Sequence, residues 1–185
     1  MRARRLFICK KCVDNPLNIL HNPFHVQRKE KQMLTIKQGD VFEELKAGDV
    51  FVHGCNAQGV VGSGIAKIVK DKWPKAYQLY KQEVLLGKLK IGQWNAWWDT
   101  SKDIVIVNLI TQQEFGRDKA KTYVDYNAVK NGLLTVVADA TQACRRIVFP
   151  FIGGGLANGD RKILLDIFHE VFDNAEIEGV LVIND

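Results

Sequence analysis

Long apolar runs are missing from the sequence. The longest apolar stretch, Ile104 to Ile110, is interrupted by Asn108 and is much shorter than the roughly 20 residues that span a bilayer. The basic N-terminus is followed by only four apolar residues, 6–9, before two lysines, which is too short for a secretory signal. Four cysteines in 185 residues are too few for a disulfide framework. The sequence therefore predicts a cytoplasmic protein with no membrane partner.

Signatures of several other protein classes are also lacking. There is no internal repeat and no low-complexity tract, which excludes repeat and fibrous architectures. Neither the dinucleotide pattern G-x-G-x-x-G nor a P-loop occurs, so phosphate transfer of the ATP-dependent kind is disfavoured. With 46% hydrophobic and 25% charged residues, the chain has the composition of a globular protein. Its length predicts one domain with a short appendage.

Positive charge is concentrated at the N-terminus. Residues 1–32 carry eight Lys or Arg against two acidic residues, a net charge of +6, which leaves −1 for residues 33–185 out of the total of +5. This segment also contains two Asn-Pro pairs and no sustained periodicity. We therefore predict a basic, poorly structured arm over 1–32 and a domain over 33–185. Nucleic acid is a candidate partner of the arm only.

The arm also holds four residues of the types that bind zinc. Cys9 and Cys12 precede His21 and His25 with the end spacings of a zinc finger, but eight residues separate the two pairs where DNA-binding fingers have about 12. Two interpretations stay open, a small zinc site and a chance arrangement. We favour the chance arrangement because no apolar core surrounds the pairs. For the main domain we expect neither a metal nor a cofactor.

Strands and helices alternate from Leu34 onward. Short segments of branched and aromatic residues predict six strands, and apolar residues at helical spacing predict four helices. The predicted strands are Leu34–Gln38, Val50–His53, Gln93–Trp98, Ile104–Thr111, Arg146–Phe151 and Gly179–Ile183, and the predicted helices are Gly64–Trp73, Pro74–Leu86, Thr122–Ala143 and Arg161–Asn174. The alternation predicts a three-layer α/β/α fold. A turn joins the third and fourth strands, which predicts a hairpin and hence a mixed six-stranded sheet.

Two glycine-rich segments follow predicted strands and lead into helices. The first contains His53-Gly54-Cys55-Asn56 and Gly62-Ser63-Gly64-Ile65-Ala66, and the second is Ile152-Gly153-Gly154-Gly155-Leu156-Ala157-Asn158-Gly159-Asp160. Ligands of such sheets bind at the C-terminal ends of strands, where glycine lets the backbone approach an anion and helix N-termini offer N–H groups. Each segment alone could be a turn. Together, at neighbouring strand ends, they predict a phosphate-binding site.

In order and spacing, these segments resemble those of the macro domain, an ADP-ribose-binding fold, and the resemblance spans Leu34 to the C-terminus. Gly39-Asp40-Val41, Leu109-Ile110-Thr111, Glu114-Phe115-Gly116 and Thr122-Tyr123 add to it. Within that superfamily the chain is most similar to the small ADP-ribose 1''-phosphate phosphatases and the related glutamate-ADP-ribose hydrolases. The resemblance implies ADP-ribose or ADP-ribose 1''-phosphate as the ligand. We expect a monomer.

The resemblance also implies roles for individual residues. Asp40, beside the N–H of Val41, would accept a hydrogen bond from the adenine amino group, and it could also cap the helical turn at Phe42. Phe115 would lie against the distal ribose. The backbone groups that would wrap the diphosphate are those of Gly62, Ser63, Gly64 and Ile65 and of Ile152, Gly153, Gly154, Gly155 and Leu156.

Removal of a phosphate from the distal ribose needs an activated water or nucleophile, a proton for the leaving oxygen and stabilised phosphoryl charge. We hypothesise that Asp160 is the base or nucleophile, His53 the proton donor or charge stabiliser, and Asn56 the residue that positions the ribose. The structural alternatives are a buried histidine at a strand end and a helix N-cap at Asp160.

Two positions distinguish the related activities. The glutamate-ADP-ribose hydrolases use a lysine after the Leu-Ile-Thr strand and an aspartate after Gly-Leu, whereas this sequence has Gln112 and Ala157 there. Without that amine no lysyl adduct can form, so the phosphatase activity is predicted. A non-catalytic reader of ADP-ribose or a related NAD-derived nucleotide, a hydrolase of another ADP-ribosyl linkage, and a tethering role of the arm are the alternatives.

Overall fold

Runs of buried branched residues form the centre of the fold. The computed structural model describes residues 33–184. Its strands are β1 (Leu34–Gln38), β2 (Val50–Asn56), β3 (Trp94–Asp99), β4 (Ile104–Gln112), β5 (Ile147–Pro150) and β6 (Gly179–Ile183), and its helices are α1 (Val41–Glu44), α2 (Gly64–Lys72), α3 (Pro74–Leu85), α4 (Tyr126–Gln142) and α5 (Arg161–Phe172). The predicted arm, with Cys9, Cys12, His21, His25 and its proposed nucleic-acid contacts, lies outside the described residues.

The strands form one mixed sheet in the order β1-β6-β5-β2-β4-β3. All neighbours are parallel except β3 and β4, which form the predicted antiparallel hairpin. Eight of the nine residues of β4 are buried, as expected of a strand covered on both faces. The C-terminal ends of β2, β4 and β5 therefore meet at one edge of the sheet.

Helices cover both faces of the sheet. Val52 and Phe149 pack against α4 and α5 on one face, whereas Phe51 and Ile106 pack against α1, α2 and α3 on the other. Because successive side chains of a strand point to opposite faces, neighbouring residues of β2 belong to different cores. The predicted three-layer α/β/α architecture is confirmed. None of the helices within residues 33–184 is both long and apolar enough to cross a bilayer.

Several element boundaries differ from the prediction, and two of the larger differences lie at the edge where the strands end. β2 continues past His53 to Asn56, because these residues pair with β4 from Asn108 to Gln112. α4 begins at Tyr126 rather than at residue 122, because the carboxylate of Asp125 accepts a hydrogen bond from the backbone N–H of residue 128 and caps the helix there. At the opposite edge of the sheet, α5 ends two residues earlier than predicted, at Phe172.

Candidate functional site

An open cavity of about 560 Å³ lies at the C-terminal ends of β2, β4 and β5. Its lining includes both glycine-rich segments and the loop that follows β4. A smaller cavity of about 180 Å³ adjoins it and is lined by Asp40 and Val41 among others. The two cavities share Ile65, Pro150, Phe151 and Gly155, and so form one groove. A groove of this size fits a small molecule such as a nucleotide.

The first glycine-rich segment brings the N-terminus of α2 to the larger cavity. Ser63 is the N-cap residue, but its side chain makes no capping hydrogen bond. Gly64 has a φ of +62°, a left-handed conformation that favours glycine. The N–H groups of the first helical turn have no intrahelical partner, so they are available to an anion together with the positive end of the helix dipole.

Glycines of the two loops fall into two groups. Gly153 is required by the fold, because a Cβ there would lie 2.7 Å from the side chain of Val124. Gly62 and Gly155 are different, since neither has a positive φ and a Cβ on either would meet no atom within 4 Å. Both line the larger cavity. The described structure therefore gives no internal reason for glycine at these two positions.

Backbone N–H groups of the second loop are only partly used within the described chain. The N–H of Gly154 donates to the carbonyl of Phe151, and that of Asn158 donates to the carbonyl of Gly155. In contrast, the N–H groups of Gly155 and Leu156 have no acceptor among residues 33–184. Unpaired N–H groups on a glycine loop beside a helix N-terminus are suited to binding phosphate.

Asp40 lines the smaller cavity and also caps α1. Its Oδ1 accepts a hydrogen bond of 2.8 Å from the backbone N–H of Phe42. The capping role considered for Asp40 is thus present. Its role in binding a ligand beside Val41 stays a prediction. Opposite these residues, the guanidinium of Arg161 lies 4.3 Å from the ring centroid of Phe151. Our sequence reasoning missed this cation–π pair, which joins the end of β5 to the start of α5.

Phe115 lines the larger cavity and is 52% exposed. Its loop is held by Asn158, whose Nδ2 donates to the carbonyl oxygens of Asp118 (2.8 Å) and Lys121 (2.9 Å). Asn158 has a φ of +54°, a conformation that asparagine tolerates better than most residues. Its position directly before Gly159 was the only sequence signal of this role, and we did not single it out.

Asn56 lines the larger cavity, as predicted, but its amide serves the loop behind it. Its Oδ1 accepts from the N–H groups of Gln58 (3.1 Å) and Val60 (3.2 Å) and from the hydroxyl of Tyr80 (3.1 Å). Its Nδ2 donates to the carbonyl of Val60 at 2.6 Å. Asn56 therefore shapes the cavity wall through the loop 56–60.

His53 does not line either cavity. Its Nε2 is 2.9 Å from Oδ1 of Asn108, whose Nδ2 donates to Oδ1 of Asn95. The Asn108 oxygen must therefore accept, which makes Nε2 the protonated nitrogen of a neutral ring. Burial lowers the pKa of His53 to about 4. His53 lies in β2, which continues through it to Asn56, and its side chain is buried in the core rather than turned towards the cavity.

Asp160 is the N-cap of α5 and also lines neither cavity. Its Oδ1 accepts from the N–H groups of Lys162 (2.8 Å) and Ile163 (3.1 Å), which is the alternative considered for it. Among the described residues, the larger cavity has no carboxylate and no imidazole in its lining, and its ionisable side chains are those of Cys55 and Arg117. Burial raises the pKa of the Cys55 thiol, so the thiol stays protonated. No three His, Cys, Asp or Glu side chains within residues 33–184 are grouped to hold a metal ion.

Comparison with known sequences gives short matches. No family model matches the chain. A stretch of 51 residues is 41% identical to a protein of Aspergillus fumigatus named ADP-ribose 1''-phosphate phosphatase, and covers 28% of this chain and 25% of that protein. The chain thus spans about a quarter of the length of this curated relative.

Comparison with solved structures covers most of the chain. The macrodomain of Thermus aquaticus DarG matches with a TM-score of 0.69 and 23% identity, over 81% of this chain and 97% of that one. Thermosipho africanus DarTG in complex with ADP-ribose matches with a TM-score of 0.69 and 18% identity, over 84% of this chain and 42% of that one. The sheet order, the helical layers and these likenesses together establish that the chain has the macrodomain fold that its sequence predicts.

Proposed function

We propose that the chain binds ADP-ribose along the groove. The adenine lies in the smaller cavity between Asp40 and the cation–π pair of Phe151 and Arg161. The diphosphate lies between the glycine loops, and the distal ribose lies against Phe115. This order follows the lining of the two cavities, since the residues they share belong to the glycine loops and their neighbours. A solved structure of similar fold is a complex with ADP-ribose, which supports the same occupant here.

The observation that carries the proposal is the pair of glycines that the fold does not need. Gly62 and Gly155 face open space in the larger cavity, next to unpaired N–H groups and an uncapped helix N-terminus. A side chain at either position would leave the fold intact but would keep an anion away from those N–H groups. A diphosphate, with charge spread over several oxygens, matches such a row of donors.

We further infer that the bound substrate is ADP-ribose 1''-phosphate and that it is hydrolysed. The name of the curated relative favours this reaction. Water attacks phosphorus, the bond between phosphorus and the 1'' oxygen breaks, and the 1'' oxygen takes a proton. The products are ADP-ribose and inorganic phosphate. The backbone N–H groups would stabilise the charge on the phosphoryl oxygens.

In this proposal the phosphate group of the substrate delivers the proton to the leaving 1'' oxygen. The described lining of the cavity has no carboxylate or imidazole to exchange protons with water, and the Cys55 thiol is buried. A phosphate monoester has a second pKa near 6 and can itself carry a proton from the attacking water to the leaving oxygen. Asn56 and Asp160 then act by holding the two loops in place.

Two measurements on the same preparations test the proposal. Calorimetric binding of ADP-ribose tests the ligand, and phosphate release from ADP-ribose 1''-phosphate tests the reaction. In Gly155→Val, we expect about 10-fold weaker ADP-ribose binding and slower phosphate release, with an unchanged unfolding temperature. Ala138→Val, at an exposed position on α4, is the control. It should change neither ADP-ribose binding nor phosphate release.

Each result has a different meaning. Binding by the wild type without phosphate release would make the domain a reader, or a hydrolase of another ADP-ribosyl linkage. Absence of both would disprove the proposed ligand.

Gln112 and Ala157 both line the larger cavity, at the positions where the glutamate-ADP-ribose hydrolases are expected to have a lysine and an aspartate. We therefore expect no release of ADP-ribose from glutamate esters.

A further inference from the structure

Arg117 is the one cationic side chain in the described lining of the larger cavity. It is exposed, and its guanidinium has no hydrogen bond, ion pair or ring contact with any residue that the structure describes. The other three arginines of residues 33–184 all have partners: Arg145 pairs with Asp103, Arg146 pairs with Glu44 and Asp49, and Arg161 lies over the ring of Phe151. Arg117 is thus an unneutralised charge facing a ligand cavity.

The loop around Arg117 is fastened on both sides of it. Before it, Nε2 of Gln112 donates to the carbonyl of Glu114 at 2.7 Å. After it, Nδ2 of Asn158 holds the carbonyls of Asp118 and Lys121. These bonds hold the backbone of the loop in place and leave the Arg117 side chain without a partner. A ligand that contacts Arg117 therefore does not have to order the backbone of the loop first.

The local charges leave Arg117 without a counterion of its own. The carboxylate of Glu114 forms an ion pair of 2.6 Å with Lys121. The nearby carboxylate of Asp118 caps its own turn by accepting from the N–H of Ala120 at 2.9 Å. An anion in the cavity is therefore the remaining partner for the Arg117 charge.

Along the groove, Arg117 lies at the end far from Asp40. Asp40 lines only the smaller cavity and Arg117 only the larger one, while the glycine loops border both. If the loops hold a diphosphate, a cation beyond them on the Phe115 side faces the distal sugar. ADP-ribose has only neutral hydroxyls there, so the Arg117 charge would have nothing to neutralise.

We propose that Arg117 forms an anion subsite for a phosphate monoester on the distal ribose, and that it sets the preference for the phosphorylated nucleotide over ADP-ribose. This inference rests on the proposed binding mode. A guanidinium presents two parallel N–H groups to a phosphate, and charge-assisted bonds of this kind are about twice as strong as neutral ones. Loss of the contact should weaken binding of the phosphorylated ligand by at least about 10-fold.

The experiment measures calorimetric binding of two ligands at pH 8. One is ADP-ribose, and the other is the phosphonate analogue of ADP-ribose 1''-phosphate with CH₂ in place of the 1'' oxygen, which cannot be hydrolysed. In Arg117→Gln we expect at least about 10-fold weaker binding of the phosphonate and less than about a 2-fold change for ADP-ribose. Arg117→Lys should fall between, because it keeps the charge but not the fork of donors.

Lys119→Gln is the matched control. It removes an exposed cation from the same loop that lines neither cavity, so it should leave both affinities unchanged. An equal loss for both ligands in Arg117→Gln, or no loss for either, overturns the subsite. Absence of ADP-ribose binding by the wild type would instead disprove the proposed function itself, so the two failures are distinguishable.

Discussion

The neutral ring of His53 shows how one buried residue couples stability to pH. It is stacked on Phe51, with ring centroids 5.9 Å apart, and donates to Asn108. Its Nδ1 is 3.7 Å from the sulfur of Cys55. A proton added at Nδ1 would have no carboxylate nearby to balance its charge, which is why burial depresses the pKa.

The sign of the pH effect follows from the two protonation states. The unfolded ring has an ordinary pKa of 6.5 and the folded ring one of about 4, so between these values the unfolded chain binds more protons. We expect the free energy of unfolding to fall as pH drops from 6.5 to 4, by up to about 3 kcal/mol from this residue. Urea unfolding of the wild type and His53→Gln between pH 7.5 and 4.5 measures it. Equal pH slopes for the two proteins would contradict the neutral buried ring.

Some residues of the groove could be predicted from the sequence and others could not, depending on whether their signal is local in the sequence. The glycine loops, Asp40 and Phe115 could be selected from the sequence because their motifs are contiguous, and all of them contribute to the lining of the groove. The pairing of Phe151 with Arg161 was not, because it depends on how the end of a strand meets the start of a helix ten residues later. Arg117 carried no motif, and only the position of its loop beside the cavity gives it a role.

Among the elements, β2 shows how pairing overrides local sequence. His53-Gly54-Cys55-Asn56 looks like a loop because it is polar and contains glycine. Parallel pairing with β4 nevertheless keeps it extended. Gly54 is needed because a Cβ would lie 2.8 Å from the hydroxyl of Thr111. This contact is 57 positions away along the chain, so no local pattern predicts it.

Helix α5 offers the test of the two roles considered for Asp160. If the carboxylate only caps the helix, Asp160→Ala should lower the free energy of unfolding by about 1 kcal/mol, and Asp160→Asn by much less, because asparagine is also a good N-cap. Phosphate release should then be within a few fold of the wild type in Asp160→Asn. Release lowered by several orders of magnitude in that folded variant would restore Asp160 as base or nucleophile.

For the whole molecule, the architecture was predictable to a greater extent than the chemistry. Six strands, four of the five helices and the hairpin follow from periodicity, because burial on both faces of a sheet leaves strong apolar patterns such as that of β4. Catalytic placement depends on side-chain direction, which a shift of one residue along a strand reverses. His53 is an example, because its side chain is buried in the core and lines neither cavity.

Ligand binding should also be visible in the stability of the whole domain. The groove is built from loops after β2, β4 and β5, so an occupant joins parts of the chain that are distant in sequence. At a free concentration of 100 times its Kd, ADP-ribose should add about 2.7 kcal/mol to the free energy of unfolding and raise the Tm by about 5–10 °C. Thermal unfolding with ADP-ribose, with ribose as the control sugar, measures this shift. No difference between the two additions would argue against the proposed ligand.

The parallel pairing of β1 with β6 sets the two ends of the described chain at opposite ends of the sheet. Met33 accepts a hydrogen bond from the N–H of Gly179, where β6 begins, whereas Asn184 follows β6 and lines the smaller cavity. The length of a five-residue strand, about 17 Å, separates Met33 from Asn184 along the strand direction. A fluorophore coupled at the Met33 end of the described residues would therefore lie away from the groove. A group attached at Asn184 would lie beside the smaller cavity, where the adenine is proposed to bind, and would compete with the nucleotide for that space.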